Sequence, residues 1–169
     1  MTPTKIKIVC ICHFSNNEIQ EILPLWKRVN EFAPYIPNML KGFEDREDVD
    51  INVICPHGWL RRRTKIINRE ISYFFIPCGI TFIHCSWQRF FNFDIYSNFY
   101  FFRRKVKKVI NKIQPDIINL IGAENAYYSS VILDYKNSYP VLITIQWFIS
   151  QMRNSVTLFP EVKKNIEIE

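Results

Sequence analysis

An α/β fold with a mostly parallel sheet, covered by helices on both faces, is what this sequence predicts. Three observations predict it. First, Lys5 to Cys12 (KIKIVCIC), Asp50 to Cys55 (DINVIC), Asp116 to Ile121 (DIINLI) and Val141 to Gln146 (VLITIQ) are short, near-continuous apolar runs. Strands buried on two sides read this way, whereas strands with one wet face alternate. Second, Phe99, Phe102, Val106, Val109, Ile110 and Ile113 fall on one helical stripe between two such runs. Third, 169 residues with 48% hydrophobic, 15% aromatic and 22% charged residues suffice for one well-buried core and exclude disorder.

The elements follow in order. Lys5 to Cys12 is the first strand. His13 to Pro37 bears Asn and Pro; a short helix fits between Glu18 and Asn30, punctuated by Pro24, Pro34 and Pro37. Asn38 to Arg46 reads as a helix, with Met39, Leu40 and Phe43 on its apolar side. Asp50 to Cys55 is the second strand, ended by a Pro56-His57-Gly58 turn and followed by a basic loop, Arg61, Arg62, Arg63 and Lys65. Ile71 to Ile76 (ISYFFI) is the third, closed by Pro77. Residues 78–95 are irregular and aromatic, and Tyr96 to Ile113 is helical until Pro115 stops it. The strand from Asp116, a helix over Glu124 to Tyr135 and the strand from Val141 complete the pattern. Right-handed crossovers then favour a Rossmann-like three-layer sandwich over residues 1–150, with 151–169 as a carboxyl-terminal extension or the start of an interdomain segment.

Several chemistries are excluded. None of the four glycines stands in a Gly-x-Gly-x-x-Gly or P-loop context, and no Gly-x-Ser-x-Gly elbow occurs. No acids cluster after the first strand to hold a divalent cation, because Glu18 is the first acid in the chain. The five cysteines are an odd number, most of them inside apolar runs, and read as buried thiols of a reducing compartment. A metal site from Cys55, His57, Cys78, His84 and Cys85 lacks a Cys-x-x-Cys knuckle, and no metal is expected. The amino terminus has no cleavage-site pattern, and Pro77, Gly79 and His84 interrupt the most apolar later stretch, so a cytoplasmic location is expected.

In parallel sheets the ligand crevice lies beyond the carboxyl ends of the strands. That rule selects Ser15 and Asn16, His57, Glu124 and Asn125, and Gln146 and Trp147. Each has an ordinary alternative. Ser15 and Asn16 suit a solvated connection, His57 a structural turn, Glu124 a helix start and Trp147 the core. A formal charge of +6 favours acidic partners. Arg103, Arg104 and Lys107 on the basic helix, with Arg61, Arg62 and Arg63 in the preceding loop, suit peripheral contact with an anionic membrane at the inner face. No nucleic-acid reader motif accompanies these cations, and no nucleic-acid partner is expected.

Four strings occur in register: Glu31-Phe-Ala-Pro-Tyr-Ile-Pro-Asn38; Val53-Ile-Cys-Pro-His57; Pro115-Asp-Ile-Ile-Asn-Leu-Ile-Gly-Ala-Glu-Asn125 with Tyr127-Tyr128-Ser129; and Ile143-Thr-Ile-Gln146 with Phe148-Ile149. Together they resemble the amino-terminal domain of GT-B glycosyltransferases of family four, particularly bacterial members that build surface polysaccharide. The resemblance implies an enzyme of two Rossmann-like halves that retains anomeric configuration without a metal or other cofactor. The first half would hold a saccharide or lipid-linked acceptor. The nucleotide-sugar donor would bind mainly a carboxyl-terminal partner domain, in the same or a separate chain, which carries a glutamate pair. The chain is therefore expected to be half of a larger transferase, folded but catalytically silent alone. Two positions depart from the family pattern. Asn119-Leu120-Ile121-Gly122 stands where His-x-His-Gly is common, and Trp147 where a glycine usually follows the strand-end Gln or His. A catalytically silent binding or interaction domain is the alternative that these departures favour.

Overall fold

The computed structural model describes residues 5–13, 21, 25, 35–57, 60, 62–77, 96–123 and 126–145. Six strands, β1 (Ile6–Ile11), β2 (Val49–His57), β3 (Thr64–Asn68), β4 (Ile71–Pro77), β5 (Ile117–Ile121) and β6 (Val141–Thr144), form one sheet in the order β3-β4-β2-β1-β5-β6. Every neighbouring pair is parallel except β3 with β4. Helix α1 (Tyr35–Lys41) lies between β1 and β2 in sequence, and α2 (Tyr100–Ile113) between β4 and β5. A short α3 (Ala126–Ser129) runs into a 3₁₀ helix (Ser130–Asp134) before β6. This is a Rossmann-like α/β sandwich.

Strand alternation divides the apolar runs between two cores. One face of the sheet presents Val9, Ile11, Ile54, Ile76, Ile118 and Leu120 to the buried side of α2 and to Val131 and Tyr135. The opposite face presents Cys10, Cys12, Val53, Cys55, Phe75 and Ile121 to Ile36 and Leu40 of α1. The central strand β1 feeds both through Ile8 to Ile11, which is why that stretch beyond Lys7 has no polar break.

Helix α2 is held by packing more than by its ends. It has no side-chain cap and no acid in its first turn, and Asn98 and Phe99 enter it at φ 48° and 54°. Four buried side chains, Phe102, Val106, Val109 and Ile110, supply about 1.5–3 kcal/mol each on burial. A bidentate ion pair adds a clamp: the Arg103 guanidinium donates to the Asp134 carboxylate, with Nε to Oδ2 at 3.0 Å and a second bond to Oδ1. Beside it the Tyr135 hydroxyl donates to Asn111 Oδ1 at 3.2 Å. Burial, then the neighbouring Asp134 and Tyr139, push the Tyr135 phenol up to about 12.

Several boundaries differ from the sequence reading: α2 starts at Tyr100 and not Tyr96, β6 ends at Thr144 and not Gln146, and four further differences follow. Strand β2 continues through Pro56 and His57, which align with Ile76 and Pro77 of β4, so His57 is a strand residue and not part of a turn. The basic loop holds a strand: Thr64 to Asn68 pairs antiparallel with β4. Helix α1 starts three residues early, at Tyr35, because Pro37 falls in the first turn, where no N–H is needed. The helix expected over Glu124 to Tyr135 is a four-residue α turn and a 3₁₀ segment. Ser130 Oγ donates back to the Tyr127 carbonyl at 3.2 Å, a local bond that competes with regular helix. The short helix expected between Glu18 and Asn30 lies outside the described residues, apart from Glu21 and Leu25.

Candidate functional site: the carboxyl edge of the sheet

A crevice forms in a parallel sheet where neighbouring strands send their following helices to opposite faces. Here that point lies between β1 and β5. The helix after β1, α1, packs on the face carrying Cys10, Val53 and Phe75. After β5, Tyr128 and Val131 of the next helical segment pack on the other face. The backbone keeps the two strands aligned to the rim, with Cys10 opposite Asn119 and Ile11 opposite Leu120. Cys12 N–H still bonds Ile54 O at 3.1 Å, and Gly122 N–H bonds Thr144 O at 2.9 Å.

Gly122 turns the chain at this rim. Its φ of 86° lies in the region that side chains avoid, and the residue is buried. Beneath it Ile121 is fully buried in the core on the α1 side of the sheet. The position where the resembling family often places a histidine therefore faces packed hydrocarbon and offers no hydrogen bond at the rim. Asn119, one turn of the pleat below, aligns its side chain with β6 through Thr144 Oγ1, which donates to Asn119 Oδ1 at 3.2 Å.

Of the predicted site residues, His57 is the one described. It is half-buried at the end of β2, one strand from the crevice, with its ring edge-to-face on Phe75 at 6.1 Å and 87°. Ser15, Asn16, Glu124, Asn125, Gln146 and Trp147 lie outside the described residues, as does Arg61. The described residues that flank them, His13, Ala123, Ala126 and Ile145, follow the ends of β1, β5 and β6 or open α3, and so share one edge of the sheet.

His13 stands two residues past β1 at the switch point; the sequence marks it as the start of a strand-end stretch without selecting it as a site residue. It is solvent-facing yet partly desolvated, which lowers its pKa from the ordinary 6.5 and favours the neutral imidazole. The available signal was its place immediately after an apolar strand run. Tyr127 was also passed over as more than a helix residue. At the start of α3 its ring meets Phe99 at 5.2 Å and Phe102 at 4.7 Å, which ties the entries of α2 and α3 together at the rim.

The charge distribution limits the chemistry. Cys12, His13 and His57 are the titratable side chains among Cys12, His13, His57, Gly122, Ala123, Thr144 and Ile145, which include no carboxylate. Burial, reinforced by the Cys12 thiol, pushes the Cys10 thiol well above its usual range, so it is no nucleophile. Among the described residues no three His, Cys, Asp or Glu side chains gather as a metal site. The described part of this edge can bind polar groups through imidazole and backbone, and it carries no acid and base pair.

The basic residues singled out for membrane contact divide. Arg62 and Arg63 are exposed ahead of β3, and Arg104 and Lys107 are exposed on α2. Arg103 is committed to Asp134, with the side chain 19% exposed. No helix among the described residues is long and apolar enough to cross a membrane. Comparison with family models, with curated proteins and with solved structures finds no match to this chain.

Proposed function

We propose that the chain is the acceptor-side half of a glycosyltransferase, holding a saccharide or lipid-linked acceptor against a nucleotide-sugar donor that a second domain binds. The observation that carries the reading is the switch-point crevice between β1 and β5, whose described lining has polar binding groups and lacks an acid and base pair. Such a wall suits a site completed by a second domain, because a closed cleft is what keeps water from the sugar in transfer. The four family-like strings add support, since three of them run into this same edge. The resemblance extends the reading to a metal-independent reaction within surface polysaccharide synthesis.

The test joins the chain to a second domain of the resembling family and measures transfer from a panel of nucleotide sugars to saccharide and lipid-linked acceptors. The chain alone should give neither transfer nor donor hydrolysis, and the joined protein should give at least one. Silence of the joined, folded protein across the whole panel rejects the transferase reading. The burial of Ile121 favours a second reading, a binding domain that keeps the fold without the reaction. Saccharide binding by the chain, together with that silence, would establish it.

A further inference from the structure

Helix α2 carries two stripes with opposite tasks. Phe102, Val106, Val109 and Ile110 are buried on the sheet. At 100° per residue the opposite side collects Tyr100, Phe101, Arg104, Lys107, Lys108 and Lys112, all exposed. The helix contains six cations and no acid. Two of them serve the fold, Arg103 through Asp134 and Lys105 through a 2.9 Å bond to the Pro77 carbonyl. The other four, Arg104, Lys107, Lys108 and Lys112, take part in no ion pair among the described residues.

Clustered free cations on a helix repel one another, so this stripe costs the fold stability and contributes nothing to the core. The aromatic residues are also out of place for a solvated face. Tyr96 is 86% exposed, Tyr100 53% and Phe101 51%, and the last two rings meet edge-to-face at 5.7 Å. Three large apolar groups thus stand in water at the amino end of the helix. Because α2 runs antiparallel to the strands, that end is the crevice end, as the contacts of Phe99 and Phe102 with Tyr127 record.

We propose that this outward face of α2 is a docking surface for an anionic lipid bilayer. The four cations meet lipid phosphates along about 12 Å of helix. The aromatic end enters the headgroup layer, where rings with one polar and one apolar side settle. Charge complementarity selects the partner, since a net +6 chain presents four cations without an ion pair among the described residues, and no acid, on one exposed helix face beside exposed aromatic rings. Docking in this pose brings the crevice mouth to the headgroup layer. The inference is independent of the sugar-transfer reading, because vesicle binding is measured without donor or acceptor.

The experiment is co-sedimentation of the whole chain with phosphatidylcholine vesicles and with vesicles that also contain phosphatidylglycerol. Binding should require the anionic lipid and fall as salt is raised. Each Lys or Arg near an anionic surface is worth about fivefold in partitioning. Lys107→Glu with Lys108→Glu should therefore lower partitioning on the order of several hundredfold. Tyr100→Ser with Phe101→Ser should lower it about tenfold and remove what binding survives at high salt. Both pairs are exposed and should leave the thermal transition in place, and the salt titration of the unaltered chain needs no variant. Equal binding to neutral and anionic vesicles, or no loss on charge reversal, overturns the proposal. Salt-sensitive retention of RNA or DNA without vesicle binding overturns it in favour of a nucleic-acid face.

Discussion

The two ends of the sheet are built differently. At the amino end the strands are sealed to one another. Lys7 N–H donates to Asp116 Oδ2 at 2.8 Å, Asp116 N–H returns to Lys7 O at 2.8 Å, and Ile6 N–H bonds Asp48 O at 2.9 Å. The acids are here: Asp48, Asp50 and Asp116 all stand at strand beginnings. At the carboxyl end the strands part, a glycine turns the chain with φ 86°, and the polar side chains described are the imidazoles of His13 and His57 with the Cys12 thiol and the Thr144 hydroxyl. One end carries carboxylates bonded into the strand starts, and the other carries imidazoles and no carboxylate among the described residues. In a parallel sheet the parting of the strands is general, because only at the carboxyl end do the helices diverge.

The comparison can be broken at its sharpest point by Ile121→His, which puts an imidazole into this packed position. A buried imidazole without a partner should cost about 3 kcal/mol, measured by urea unfolding. A cost below about 1 kcal/mol would mean that the side chain finds a polar outlet at the rim, and the carboxyl end would be more open than described. At the sealed end Asp116→Ala should cost about 1–2 kcal/mol through the orphaned Lys7 N–H. No change there would mean that water replaces the carboxylate freely.

The smallest effect is a pH dependence. His13 binds its proton less readily folded than unfolded, so below its ordinary pKa the unfolded chain takes up more protons. Stability is then full above pH 6.5 and falls as the pH drops towards the folded value. Unfolding followed between neutral and mildly acidic pH should show this loss, and His13→Gln should flatten it. A slope identical in the variant would assign the loss to another group.

Much of the sheet was legible because burial on both faces leaves an unmistakable signature. The runs IVCI and DIINLI had one consistent interpretation, and the apolar stripe of α2 another. What escaped was local. β3 has only Ile66 and Ile67 as apolar residues, between polar neighbours, and its turn is unusual. Arg69 and Glu70 both take positive φ, 47° and 66°, in a tight hairpin where Asn-Gly would be the readable sign. Helix α1 was misplaced because Pro34 and Pro37 read as punctuation, while Pro37 is tolerated in a first turn. The candidate site was legible as an edge and less so as residues. Strand ends follow from strand runs, and so does the expectation that binding groups gather there. Which side chain on that edge is desolvated, as His13 is, depends on what packs around it and has no signature in spacing. Likewise six cations on one helix look alike until Asp134 and the Pro77 carbonyl claim two of them.

The thiols beneath the crevice give the molecule a clock of its own. Cys10, Cys12 and Cys55 are all reduced and buried in the layer between sheet and α1, where an alkylating reagent cannot reach them while that layer stays shut. The rate at which these three sites are modified, read one by one by mass spectrometry, counts the openings of that layer. It would tell whether a ligand at the rim tightens the floor on which it rests.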